Sequence, residues 1–275
     1  MYSLNCKGRL LNLEDPIVMG ILNLTPDSFY AGSRINSEEK LLRQAEKMLS
    51  EGATILDLGG LSSRPGADEI SEEEELNRVV PAVHLISSRY PMAFISVDSY
   101  RYKVAKAALD AGASIINDIG AGETTRLAEL AAMVRAPYIC MHMQGNPKTM
   151  HLFSAYSDVV TEVLDYFILR RDECLKLGIK DLILDPGFGF AKTPAQNFIL
   201  LKQLKVMSML GSPLLVGLSR KGMIYNTLSV KPEEALNGTT VLHTLALEQG
   251  ARILRAHDVK EAMETIRLWT SYTKA

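Results

Sequence analysis

Cysteine is scarce in this chain of 275 residues: Cys6, Cys140 and Cys174 are the three, an odd number at no regular spacing. That excludes a disulfide framework and a paired-cysteine zinc site, and it fits a reducing, cytoplasmic setting with Cys140 and Cys174 as buried free thiols. An excess of either charge is also missing, since 30 Lys and Arg stand against 32 Asp and Glu for a net charge of -2. Such a balance leaves no footprint for nucleic acid and no basic run for a membrane surface. No apolar stretch reaches the roughly 18 residues that a spanning helix needs, and MYSLNCKGRLLNLEDP lacks the apolar core of a signal peptide. HExxH is absent, and no GxGxxG opens a helix after the first strand, which removes the usual zinc and dinucleotide signatures. His84 and His243 fall in helical patterns and read as surface or core residues.

What is present is a repeat. Eight short apolar runs stand at Ile17–Leu22, Thr54–Leu58, Ala93–Val97, Ser114–Ile116, Tyr138–Met141, Leu182–Leu184, Leu214–Leu218 and Ile253–Leu254. Between them lie amphipathic stretches with helical spacing, such as Leu41, Ala45, Met48 and Leu49. Ser37 before Glu38 and Glu39, and Ser71 three residues before Glu74, read as helix starts. Gly52, Gly112, Gly178 and Gly250 read as helix exits just ahead of the next strand. Strands alternating with helices imply parallel pairing through right-handed crossovers. Eight units without a linker favour a closed TIM (β/α)8 barrel over a doubly wound open sheet, as a single domain with its core at about 15–270.

Each run ends on a polar group: Asn23, Asp57, Asp98, Asn117, His142, Asp185, Ser219 with Lys221, and Arg255 with His257. In a barrel these positions surround one mouth, where βα loops assemble active sites. Asn23 suits either a hard metal ion or a turn cap. Asp98, Asn117 and Asp185, converging from three strands, suit a heterocycle whose edge offers adjacent N–H donors that a carboxylate accepts in a fork. Helix capping is the plainer use for any one of them. Lys221 suits a ring carbonyl or nitrogen, and the glycines and aromatics of Asp185–Phe190 suit the wall of a slot for a flat ligand. Alternation turns Arg255 and His257 the same way, as an anionic leaving group would require. The first and second βα loops are long. The first carries Asp27, Phe29 and Tyr30 and reads as a lid or a plain surface loop; the second carries Ser63, Arg64, Pro65 and Gly66, a planar cation on a stiff turn suited to a carboxylate or phosphate, or a solvated surface turn.

The segments MGILNLTPDSF, GGLSSRPGA, VDSY, NDI, MHMQG, DPGFGF, LSRK and RAHD together resemble those of the dihydropteroate synthase family, in order and spacing, from about Ile17 to about Trp269. The resemblance implies a pterin-binding barrel that joins 6-hydroxymethyl-7,8-dihydropterin diphosphate to p-aminobenzoate with release of pyrophosphate, a target class of the sulfonamides. It implies that Asp98, Asn117, Asp185 and Lys221 hold the pterin ring, with Met141 and Phe190 forming its slot. Asn23 would bind Mg2+ on the diphosphate, and Arg255 and His257 the diphosphate itself. Ser63, Arg64 and Pro65, with Ser219, would build the p-aminobenzoate pocket, closed by Asp27 and Phe29. A homodimer through outer helices is also implied.

Two departures stand out. The family's GGESTRPGA reads here with Leu61 for Glu and Ser63 for Thr, which keeps the hydroxyl. The Ser or Thr that commonly follows the SRK lysine is Gly222 here, leaving backbone N–H groups at a helix start for the aminobenzoate carboxylate. The competing readings are a methyltetrahydrofolate-dependent methyltransferase and a non-catalytic pterin-binding paralogue.

Overall fold

The computed structural model describes residues 2–24, 34–61, 70–120, 125–145 and 154–275. Asp27, Phe29, Ser63, Arg64 and Pro65, with most of the first two βα loops, lie outside the described residues. The chain opens with an antiparallel hairpin, β1 (Ser3–Cys6) and β2 (Arg9–Asn12). Eight parallel strands follow: β3 (Ile17–Asn23), β4 (Ala53–Gly59), β5 (Phe94–Asp98), β6 (Ile115–Asp118), β7 (Tyr138–Met141), β8 (Leu182–Asp185), β9 (Leu214–Val216) and β10 (Ala251–Ala256). They pair in chain order, and β10 closes on β3 to complete a barrel. The TIM-barrel expectation holds, with each predicted run inside or overlapping its strand.

Around the barrel stand α1 (Arg34–Ser50), α2 (Glu72–Arg89), α3 (Tyr102–Ala111), α4 (Arg126–Val134), α5 (Val159–Lys176), α6 (Pro194–Lys202), α7 (Gly222–Leu228), α8 (Leu236–Glu248) and α9 (Val259–Thr273). Ser71 caps α2 as expected, its hydroxyl accepting the Glu74 N–H at 3.0 Å. Ser37 does not cap α1. The helix starts three residues earlier and places Ser37, which is buried, in its first turn. Gly112 ends α3 at φ 123°, where a Cβ would fall 2.6 Å from Ser87, so only glycine makes this exit.

The strand period of two explains where the mouth gets its polar groups. Ile55, Ile115, Ile139, Ile183, Leu215 and Ile253 point inward at the floor and are fully buried in one cluster. Two residues further along the same strands come Asp57, Asn117, Met141, Asp185, Gly217 and Arg255. The floor is therefore apolar and the top layer is the reactive one. A second cluster packs the strands' outer faces against the helices.

The hairpin was not foreseen. Leu4, Cys6, Leu11 and Leu13 bury themselves in the floor cluster and plug the N-terminal end of the barrel. Its rim is tied down by polar contacts: Lys7 Nζ donates to Leu109 O at 2.8 Å, and Arg9 donates to Pro91 O at 2.8 Å while lying over the Phe94 ring. Cys140 and Cys174 are buried free thiols as expected, and Cys6 joins them. No described helix is long and apolar enough to cross a membrane.

Candidate active site

At the C-terminal end of the barrel a cleft of roughly 320 Å³ is lined by Asp98, Asn117, Met141, Asp185, Phe190, Lys221 and Arg255, all seven expected from the sequence. Gly217, Ile119 and Phe188 complete its wall. Gly217 leaves the seventh inward position without a side chain, which keeps the middle of the cleft open.

Its electrostatic centre is Arg255. The guanidinium donates from Nε to Asp57 Oδ2 at 2.7 Å and from Nη2 to Asp98 Oδ2 at 2.5 Å. Asp57 Oδ2 also accepts from Asn117 Nδ2 at 3.1 Å. One fully buried carboxylate thus orients both an arginine and an amide of the cleft. Asp57 was noted in the sequence as a strand-end carboxylate, but no motif assigned it a role; its inward position two residues beyond Ile55 was the available signal. The second oxygens of Asp57 and Asp98 are buried and have no partner among the described residues. Buried acceptors left open in this way call for donors from a ligand.

Burial raises the Asp98 pKa to about 7, against the opposing pull of Arg255, and the Asp57 and Glu75 charges push the same way as burial. Asp185 is also raised by burial, partly offset by the Gly187 N–H that its Oδ1 accepts at 2.8 Å. Desolvation lowers Lys221 to about 8, with Asp185 opposing and Arg255 reinforcing the shift. The Lys221 ammonium sits 4.0 Å from the centre of the Phe190 ring. Carboxylates that give up their protons late and a lysine that loses its proton early mark a site built to exchange hydrogen bonds with a ligand.

His257 and Ser219 are joined, His257 Nδ1 lying 3.0 Å from Ser219 Oγ, which also accepts the His257 backbone N–H at 3.2 Å. Asn23 ends β3 with its side chain exposed. Among the described residues no group of three or more His, Cys, Asp or Glu could hold a metal ion. His142 departs from the expectation that every strand end serves the mouth. It is buried behind the cleft, edge-on to Tyr166 with ring centres 4.9 Å apart. Its position follows from the chain turning at Met141, which takes the inward place on β7.

Both stems of the second loop are anchored. Arg78 donates to Gly60 O at 3.2 Å, Arg101 donates to Ile70 O at 2.8 Å, and buried Glu75 pairs with Arg101 at 3.0 Å. No motif announces this clamp, because its members are spread over α2 and the start of α3.

Carboxylate-lined slots of this kind, with a lysine over an aromatic ring, suit a flat donor-rich heterocycle. The sequence profile of a family described as pterin-binding enzymes matches residues 19–257. The dihydropteroate synthase of Escherichia coli (strain K12) is 47% identical over 264 residues, covering 95% of this chain and 93% of that protein. The chain belongs to the dihydropteroate synthase family. Among solved structures, the Yersinia pestis dihydropteroate synthase in complex with a sulfonamide drug is 42% identical, covers 100% of both chains and superposes with a TM-score of 0.92. The Xanthomonas albilineans dihydropteroate synthase with 4-aminobenzoic acid is 38% identical, covers 99% of this chain and 98% of that one, with a TM-score of 0.91. Dihydropteroate synthases are transferases of folate biosynthesis, and this barrel is of their kind.

Proposed function

We propose that this chain condenses 6-hydroxymethyl-7,8-dihydropterin diphosphate with p-aminobenzoate to give 7,8-dihydropteroate and pyrophosphate. The observation that carries the reading is the buried Asp98 oxygen that has no partner among the described residues, facing a cleft shared with Asn117, Asp185 and Lys221, in a family of pterin-binding enzymes. In this reading the aminopyrimidinone edge of the ring donates to Asp98 and Asp185, while Asn117 and Lys221 serve its acceptors. Met141 and Phe190 sandwich its faces.

The reaction is a displacement at the pterin methylene with dissociative character. Arg255 uses two of its five N–H donors on Asp57 and Asp98, which leaves others for the departing diphosphate. His257, oriented by Ser219, completes the anion site. Exposed Asn23 offers a hard amide oxygen, and Mg2+ commonly takes few protein ligands and fills its shell with water and substrate phosphate oxygens, so the donor set fits. Bound there, Mg2+ would neutralise diphosphate charge. Asp27, Phe29, Ser63, Arg64 and Pro65 lie outside the described residues; in this reading their side chains receive the aryl amine, which is nucleophilic while neutral. No general base is required.

Incubating pterin diphosphate, p-aminobenzoate and Mg2+ and assaying pyrophosphate and dihydropteroate tests the reading. No product would leave a methyltransferase or a non-catalytic pterin-binding protein. The pH profile is a second check. Asp98 must be ionised to accept from the ring, and Lys221 must be charged to donate. The kcat/KM for the pterin substrate is therefore expected to rise through about pH 7 and to fall above about 8. In Lys221→Met the falling limb should vanish along with most of the activity.

Gly222 is the first residue of α7, and a Cβ built on it meets Tyr225 Oη at 3.4 Å, an ordinary contact. Gly222→Ser should therefore fold normally and supply the hydroxyl common in the family. A fall of about threefold in KM for p-aminobenzoate, worth about 0.7 kcal/mol of one hydrogen bond, is expected in steady-state kinetics. We also propose a cytoplasmic homodimer. Its support is the exposed apolar Val241 and Leu245 on α8 and Leu268 and Tyr272 on α9.

A further inference from the structure

The motif that resembles the family's ends at Phe190, and two residues on stands a lysine that none of the roles above employs. Lys192 Nζ lies 3.1 Å from Gly187 O, 3.1 Å from Phe190 O and 3.0 Å from His142 Nδ1. Burial lowers the Lys192 pKa to about 7; below that pH its ammonium carries three N–H donors, and these three acceptors take all of them. Every one of the three is uncharged. Accepting at Nδ1 leaves the His142 proton on Nε2 and keeps the ring neutral. The imidazole is itself held by the Tyr166 ring, so the lysine is moored to a fixed wall.

The loop it closes does not hold its shape by local preference. Gly187, Gly189 and Ala191 all have positive φ, at 67°, 78° and 48°, and for alanine that conformation is strained. A Cβ on Gly187 would stand 1.9 Å from His142 O, so the loop is pressed against the end of β7. Asn197 ties the outer side, accepting the Gly189 N–H at 2.9 Å and donating to Thr193 O at 2.8 Å. Lys192 ties the inner side. What the loop carries is the slot: Asp185 receives the Gly187 N–H, and Phe190 sets its ring beneath Lys221.

We propose that Lys192 is the positioning residue of the pterin slot, its ammonium shared by Gly187, Phe190 and His142 so that Phe190 and Asp185 stand at the spacing the ring needs. The inference rests on the function proposed above. It separates ring binding from aryl-amine binding, because among the described residues Lys192 bonds to the loop that carries Phe190 and to His142 behind the ring slot.

The test compares wild type, Lys192→Met and Lys192→Arg. Affinity for 6-hydroxymethylpterin, a ring that cannot react, is measured by fluorescence titration, and KM by steady-state assay. Lys192→Met is expected to weaken the ring by about tenfold or more, the scale of losing charge-assisted hydrogen bonds. KM for p-aminobenzoate should stay within about twofold. Lys192→Arg keeps the charge, but a planar fork cannot meet three converging acceptors, so it should fall between the two. Unchanged ring affinity in folded Lys192→Met overturns the proposal, as does an equal rise in both KM values. If Lys192→Met does not fold, wild-type ring affinity in Lys192→Arg overturns it instead. A wild-type protein that binds no pterin would sink the functional reading first, and this proposal with it.

Discussion

Arg255→Ala should lower kcat/KM for the pterin substrate by about 10²–10³-fold, the scale of removing one preorganised donor from a developing anion. It should also destabilise the protein by about 3–5 kcal/mol, because it strips a buried pair of its cation. Asp57 and Asp98 both give an oxygen to that guanidinium, and neither has another cation bonded to it in the described structure. The two effects can be told apart by pH. The Asp98 pKa is already raised by burial, and Arg255 is the main force holding it down. A raised carboxylate contributes stability that is complete below its unfolded pKa near 3.8 and is lost as pH rises through about 7. Without Arg255 the folded pKa climbs further, so the stability deficit of the variant should be largest above neutrality and shrink toward pH 5. Urea unfolding at pH 5 and pH 8 measures it. The kinetic defect should persist at both. A variant within about threefold of wild type in turnover, about 0.7 kcal/mol, would remove Arg255 from the leaving-group chemistry.

Deleting residues 1–14 should cost most or all of the fold's stability while removing nothing from the cleft. Leu4, Leu11 and Leu13 are at most 4% exposed, and burying three such side chains is worth about 5–9 kcal/mol. Whole domains are stable by only about 5–15 kcal/mol. The truncation would also uncover Ile55, Ile139 and Ile183 at the barrel floor. Leu13→Ala is the graded version, expected to lose about 2–5 kcal/mol in urea unfolding with kcat unchanged. A truncated protein that melts with the full chain would show that the hairpin is ornamental.

These two predictions fall at opposite ends of the barrel, and the sequence announced them unequally. The mouth was legible because parallel strands buried on both faces are continuous apolar runs, and a polar residue at the end of such a run is conspicuous. Asp98, Asn117, Asp185, Lys221 and Arg255 were all found in this way and meet in one cleft. The hairpin was not, because SLNC and RLLN are too short and too mixed to give a period. Their burial comes from the open end of a barrel formed much later in the chain. The role of Asp57, and Lys192 altogether, were hidden for a related reason. Each acts by what it bonds to across strands, and long-range hydrogen bonds have no signature in spacing. His142 shows the reverse error, a polar residue at a strand end that turns away from the mouth to brace the loop beside it.

The three cysteines have a use that none of this chemistry foresees. Burial pushes Cys6 up to about 12 and Cys174 up to about 11, with Cys140 higher still, so almost no thiolate exists at neutral pH. A labelling reagent finds nothing to attack in the closed molecule, and each sulfur reacts only while its surroundings are open. Cys6 reports on the floor plug, Cys140 on a barrel strand and Cys174 on helix α5. The unmodified chain thus carries three independent timers of local opening, one for each layer of its architecture.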